Sequence, residues 1–296
     1  MKYVITGSLG NISKPLTQKL VAAGHTVTVI SSHEDRKAAI EALGAKAAIG
    51  SIQDVDFLTK TFAGADAVYT MVPPIFTASD WKKHIGDTGE IYAQAIKAAA
   101  IKHVVNLSSI GAQMPEGCGP VSGIYRVEQA FNTLSDVNII HLRPGNFYTN
   151  FYANIGMIKH SNIIGGNYGN NTSVVFVHPA DIAAAAAEEL TALTFKGHTV
   201  RYIVSDERTT TEVAKILGTA VGKPELPWID FKDEDSLGGM IGAGLPEEVA
   251  KNYVEMGKAV REGAMFEDYY KHKSEVKASK TKLEDFAKEF ATAYKQ

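Results

Sequence analysis

The chain has 296 residues, long enough for one large α/β domain or two smaller ones around a sizeable core. Thirty lysines and arginines against 33 acidic residues leave a net charge of −3 with no basic block, which removes the electrostatic case for direct nucleic-acid binding. The single cysteine, Cys118, rules out an internal disulfide and a cysteine-rich metal site, and no apolar run reaches the ~20 residues of a membrane span.

The start carries no basic region followed by a signal-type apolar core, so a cytoplasmic protein without membrane contact is expected. Tyr3, Val4 and Ile5 form a short apolar run with β-branched members, and Ile12, Leu16 and Leu20 open a helical stripe. Between them the spacing is Gly7-x-x-Gly10-x-x-Ser13, in place of G-x-G-x-x-G, with the small Ser13 at the third position. A helix N-terminus has unpaired N–H groups and a positive dipole end. The turn Gly7, Ser8, Leu9, Gly10, Asn11 and Ile12 is therefore read as a cradle for a nucleotide diphosphate, the alternative being a helix-capping turn without a ligand.

After a helix stop at Gly24, the stretch from Thr26 to Ile30 alternates like a strand and completes a βαβ unit. An acidic residue at the end of that strand would bind the ribose 2′-OH of NAD; here Ser31, Ser32, His33, Arg36 and Lys37 follow instead. These suit a 2′-phosphate, so NADP(H) is favoured over NAD(H), with Ser31, Ser32 and Arg36 as contacts. Glu34 and Asp35 are assigned to the first turn of the next helix.

Helices over 35–43, 54–62 and 81–100 alternate with strands over 46–49, 67–71 and 103–107. That rhythm predicts an α/β protein with a Rossmann-type, doubly wound parallel sheet. The ligand is then expected at the carboxyl ends of the strands, where Gly7, Ser32, Met71, Val72 and Pro73 converge. Cys118, between Gly117 and Gly119, reads as a bystander thiol in an exposed loop.

The glycine turn, the strand ending Asn106-Leu107-Ser108-Ser109, and Tyr125 resemble the short-chain dehydrogenase/reductase superfamily. Glu128, the run LRPGNFYTN from Leu142 to Asn150, VHPADI from Val177 to Ile182 and TTTEV from Thr209 to Val213 narrow the resemblance. Together they resemble the atypical NmrA-like branch, which includes NADPH-dependent quinone reductases, over nearly the whole chain. The resemblance implies a catalytic Tyr125 and Ser109, with Pro144 and Gly145 beside the cofactor.

Short-chain reductases place a lysine four residues after the tyrosine, and its charge lowers the phenol pKa. Here that residue is Gln129, which is neutral. A phenol without such help is a poor general base near neutral pH but still donates a hydrogen bond. Tyr125 is thus either a donor or an ordinary helix residue, and Ser109 either polarises a substrate oxygen or caps the strand.

Phe147, Tyr148, Phe151 and Tyr152 cluster after the sixth strand and read as part packing and part wall of a substrate pocket, with Phe147, Phe151 and Tyr152 assigned to that wall. A strand over 174–177, a helix over 180–190, a strand over 199–204 returning to the main sheet, and helices over 210–221, 246–263 and 283–294 complete the chain. This is expected to be one domain, with 1–150 mainly dinucleotide-binding and 151–296 mainly a smaller C-terminal α/β substrate lobe over the cleft.

Nine scattered histidines show no ligand spacing, so no metal is expected, and no G-x-S-x-G elbow occurs. Two functions remain. One is an NADPH-dependent oxidoreductase passing a hydride to a small conjugated acceptor such as a quinone, whose ring spreads charge and needs no tuned acid. The other is a non-catalytic NADP(H)-binding redox sensor of the NmrA type acting on a protein partner. The aromatic cluster favours the enzyme. Oligomeric state stays open, a homodimer included.

Overall fold

The computed structural model describes residues 1–296. The first half runs β1 (Lys2–Ile5), α1 (Ser13–Ala22), β2 (Thr26–Ser31), α2 (Lys37–Glu41), β3 (Lys46–Ile49), α3 (Val55–Phe62), β4 (Ala67–Thr70), α4 (Trp81–Ala98), β5 (His103–Leu107), α5 (Pro120–Asn132) and β6 (Asn138–Pro144). Next come β7 (Asn146–Phe147), α6 (Ile155–Ser161), β8 (Ile164–Gly166), β9 (Ser173–Val177), α7 (Pro179–Ala192) and β10 (His198–Ile203). The last part is β11 (Asp206–Thr209), α8 (Thr210–Ala220), β12 (Trp228–Asp230), α9 (Asp233–Gly242), α10 (Glu247–Arg261), α11 (Glu267–His272) and α12 (Leu283–Tyr294).

Seven strands make one parallel sheet in the order β10-β6-β5-β4-β1-β2-β3, the doubly wound arrangement expected from the alternating elements. Side chains alternate across a strand, so β1 sends Tyr3 and Ile5 to one layer and Val4 to the other. Tyr3 and Ile5 pack with Leu16 and Leu20 of α1 and Ile182 and Leu190 of α7. Val4 packs with Leu58 and Phe62 of α3, Ile96 of α4 and Phe131 of α5. Both faces are covered, which is why these strands read as continuous apolar runs. Aspartates start two of the helices: Asp54 accepts from the Phe57 N–H at 3.0 Å and Asp80 from that of Lys83 at 2.9 Å.

A second body sits beyond the sheet's carboxyl edge. Its three-stranded sheet β11-β9-β7 and the pair β12-β8 enclose a core with Tyr148, Phe151, Phe176, Phe286 and Phe290. Strand β10 pairs with β6 and α7 packs on the sheet, so part of 151–296 belongs to the larger body. Acidic residues fasten the C-terminus: Asp181 accepts from Ser205 Oγ (3.1 Å) and the Thr281 N–H (3.0 Å), and Asp206 from the Tyr148 hydroxyl (2.7 Å) and the Leu283 N–H (2.8 Å).

The short elements β7, β8, β11, β12, α6, α9 and α11 were not anticipated. Each is too brief, or too rich in glycine, to carry a readable period. The structure corrects Cys118, which is 0 % exposed instead of lying in an exposed loop. It packs in the second core with Ile110 and Met265, and burial pushes its thiol up to about 12. No helix is long and apolar enough to cross a membrane.

Candidate functional site

The turn after β1 is held from three sides. Gly7 and Ser8 are left-handed, with φ of 88° and 53°. A Cβ on Gly7 would lie 2.5 Å from Ser13 Oγ and 2.9 Å from Met71 Cγ, so only glycine fits there. Ser13, buried, donates from Oγ to the Thr6 carbonyl at 2.8 Å and so ties the start of α1 to the end of β1. The Met71 N–H donates to Thr6 Oγ1 at 2.8 Å, and the Tyr92 hydroxyl donates to the Met71 carbonyl at 2.9 Å, which fixes β4 to the same turn.

Six N–H groups around this turn, those of Gly7, Ser8, Leu9, Asn11, Ile12 and Ser13, have no acceptor within the protein. Ile12, at the N-cap of α1, offers no side-chain cap. The first N–H groups of a helix have no intrahelical partner, and water or an anion meets them; a diphosphate fits such a set of donors.

At the end of β2, Ser8 Oγ donates to Ser31 Oγ at 3.0 Å, the His33 N–H donates to Ser31 Oγ at 3.2 Å, and Arg36 reaches Ser8 Oγ at 3.4 Å. Ser31 is buried, whereas Ser32 and Arg36 are exposed. Glu34 and Asp35 start a short 3-10 turn, and Glu34 faces Lys37 at 3.9 Å. Cation and hydroxyls thus meet beside the glycine turn with no carboxylate bonded among them.

At the ends of β5 and β6 the site is built from side chains. Glu128, on α5, is 2 % exposed and receives Arg143 through two hydrogen bonds, Nε at 3.0 Å and Nη2 at 2.6 Å. Ser108 Oγ donates to the same carboxylate. The third side of Arg143 faces Asp268, with Nη1 at 3.0 Å from Oδ2. Ser109 is half-buried, and its Oγ donates to the Ile110 carbonyl at 2.8 Å. Pro144 and Gly145 are buried in the backbone link between the β5 loop and β10, through Ile110 N–H to Pro144 O (3.0 Å) and Gly145 N–H to Ile203 O (3.1 Å). Leu9, Met71, Leu107 and Phe147, all half-buried, lie at or just after the carboxyl ends of β1, β4, β5 and β6 and pack on the core beneath them.

Three expected site residues lie elsewhere. Tyr125 lines the open groove between α4 and α5 with Lys83, Asp87, Glu90 and Gln129. Helical geometry explains it: Glu128 takes the inward position, and Tyr125, three residues earlier, is turned about 60° away. Phe151 is 6 % exposed and packs on Phe176 at 5.5 Å, and Tyr152 lies against Phe286 and Phe290. These two rings pack in the core of the second body, while Phe147 lies near the strand ends.

A glycine turn with unpaired N–H groups at the switch point of a doubly wound parallel sheet is the arrangement of dinucleotide-binding proteins. The chain belongs to the NAD(P)H-binding family, whose model matches residues 7–192. It is similar to the NADPH-dependent quinone oxidoreductase of Escherichia coli solved with NADPH, at a TM-score of 0.82 and 19 % identity over 97 % of this chain and 99 % of that one. It is also similar to the triphenylmethane reductase of Citrobacter sp. solved with NADP(H), at a TM-score of 0.79 and 22 % identity over 98 % and 99 %. A (4-alkanoyl-5-oxo-2,5-dihydrofuran-3-yl)methyl phosphate reductase of Streptomyces griseus is 23 % identical over 263 residues, 88 % of each chain.

Proposed function

We propose that the protein is an NADPH-dependent oxidoreductase whose acceptor is a small conjugated molecule such as a quinone. The observation that carries this is the turn itself: six N–H groups without an acceptor, with Arg36 on Ser8 at one side and apolar Leu9, Met71, Leu107 and Phe147 at the strand ends. NADPH, when bound, supplies a hydride from its nicotinamide C4. Ser8, Leu9, Asn11, Ile12 and Ser13 hold the diphosphate through their N–H groups, while Ser31, Ser32 and Arg36 receive the 2′-phosphate. Leu9, Met71, Leu107 and Phe147 keep water from a flat acceptor.

Proton supply selects the acceptor class. Glu128 is taken by Arg143 and Ser108, and Tyr125 lines the groove between α4 and α5. A simple ketone would form a localised alkoxide with no acid beside it, whereas a quinone delocalises the charge. Relatives named as quinone oxidoreductase and triphenylmethane reductase support this choice. Steady-state NADPH oxidation with benzoquinones and simple ketones tests it. Turnover of quinones and not of ketones is expected; tight NADPH binding with no turnover of any acceptor would move the protein to the redox-sensor class.

A further inference from the structure

The segment from Ala264 to His272 grips the β5 and β6 ends of the cleft at two independent points. Met265, 2 % exposed, presses on the loop after β5: Gly111 is left-handed at φ 91°, and a Cβ there would lie 2.9 Å from Met265 Cγ. Three residues on, Asp268 Oδ2 accepts from Arg143 Nη1 at 3.0 Å and from the Tyr202 hydroxyl. Arg143 passes the link to Glu128, and Glu128 to Ser108. Glu128 alone neutralises Arg143, so Asp268 is not needed to balance the buried charge. Its carboxylate fixes where the guanidinium sits.

We propose that Asp268 is a positioning residue for the acceptor end of the cleft, acting through Arg143 and Glu128 on Ser108 and the adjoining loop that carries Ser109. The proposal rests on the oxidoreductase function above. The glycine turn is tied down by Thr6, Ser13, Ser31 and Met71 and shares no hydrogen bond with this network. Displacement at Asp268 therefore reaches the acceptor and leaves the nucleotide in place.

The test compares wild type with Asp268→Asn, which keeps the shape and removes the charge, and with Asp268→Glu, which keeps the charge. In Asp268→Asn the benzoquinone KM should rise about tenfold while kcat and the NADPH Kd change by less than about twofold, the size expected when one coupling contact is lost. Asp268→Glu should recover most of the lost KM. Amide hydrogen exchange on the same proteins should quicken in Asp268→Asn at 108–112 together with 264–272, and stay unchanged at 7–13. An unchanged quinone KM, an NADPH Kd that weakens in step with it, or faster exchange confined to 264–272 would overturn the proposal. A wild type that oxidises NADPH with no quinone overturns the oxidoreductase function alone, and the exchange arm then decides the role of Asp268.

Discussion

The glycine turn after β1 is formed by neighbours in sequence, Gly7 to Ser13, with Ser31 and Met71 holding it, whereas at the ends of β5 and β6 the side chains that meet lie as much as 125 positions apart. The first region works through backbone: a left-handed glycine, a small serine and unpaired N–H groups. The second works through buried charge, with Ser108, Glu128, Arg143 and Asp268 each bonded to the next. A local backbone site tolerates change elsewhere and fails only where its own atoms are blocked. A charge network fails when its shared cation is lost, because the carboxylates around it are left without a partner.

Breaking the network should produce the largest effect. Arg143→Met leaves Glu128 and Asp268 without a cation, and urea unfolding should show a loss of about 3–5 kcal/mol. Retention of full stability would mean that the network is not the framework of the acceptor end. Blocking the turn should act oppositely, on binding and not on folding. Gly10 is not in the left-handed region, and a Cβ there would meet only the Gly7 carbonyl oxygen at 3.1 Å. Gly10→Val should keep its unfolding midpoint yet lose NADPH affinity by about a hundredfold or more in calorimetric titration, some two decades at ~1.4 kcal/mol each.

A polar row beneath the acceptor end should show in the pH dependence. His141, on β6, is 2 % exposed, takes a hydrogen bond from Asn106 at Nδ1 (3.0 Å) and faces Asn132 at Nε2 (3.4 Å). Burial lowers its pKa from 6.5 to about 4. The folded pKa lies below the unfolded one, so the unfolded chain binds the proton first. The stabilisation is complete above pH 6.5 and is lost as pH falls toward 4. Urea midpoints should put this group's loss at about 1–2 kcal/mol between pH 7 and pH 5, and His141→Gln should flatten that slope.

The same contrast decides what could be read from sequence. The glycine turn and the main strands of a parallel, doubly wound sheet followed from apolar periods and glycine spacing, because those signals are local. Ser13 was recognised as the small third residue, and the structure adds its bond to Thr6. The stretches that carried the family resemblance are structural more than chemical. His178 caps α7 through the Ala180 N–H at 3.1 Å, Asp181 fastens the C-terminal segment, and Thr209 with Glu212 forms a capping box. Glu128 stood out only as a mark of that resemblance; its bond to Arg143 joins two elements and leaves no periodic trace. The surroundings of Tyr125, Phe151 and Tyr152 were not legible for a related reason. Residue type and neighbourhood in the chain do not say which face of a helix turns inward or which aromatic is used for packing.

A smaller effect belongs to the adenosine side. Arg36→Ala removes the exposed cation beside Ser8 and Ser31, and the preference for NADPH over NADH should fall about tenfold, the value of one charge-assisted pair at ~1.5 kcal/mol. Equal preference before and after would show that the end of β2 does not read the 2′-phosphate.

The smallest effect is expected at Tyr125, and it bears on the central claim that hydride transfer to a conjugated acceptor here uses no tyrosine acid. NADPH oxidation by a benzoquinone should be followed for wild type and Tyr125→Phe, each with ordinary NADPH and with NADPH deuterated at the transferred C4 position. The two proteins should turn over within about twofold of each other, since a lost acid-base group costs at least ~10²-fold, and both should slow with the deuterated cofactor. Collapse of turnover in Tyr125→Phe, or the absence of any isotope-sensitive oxidation in the wild type, would contradict the account.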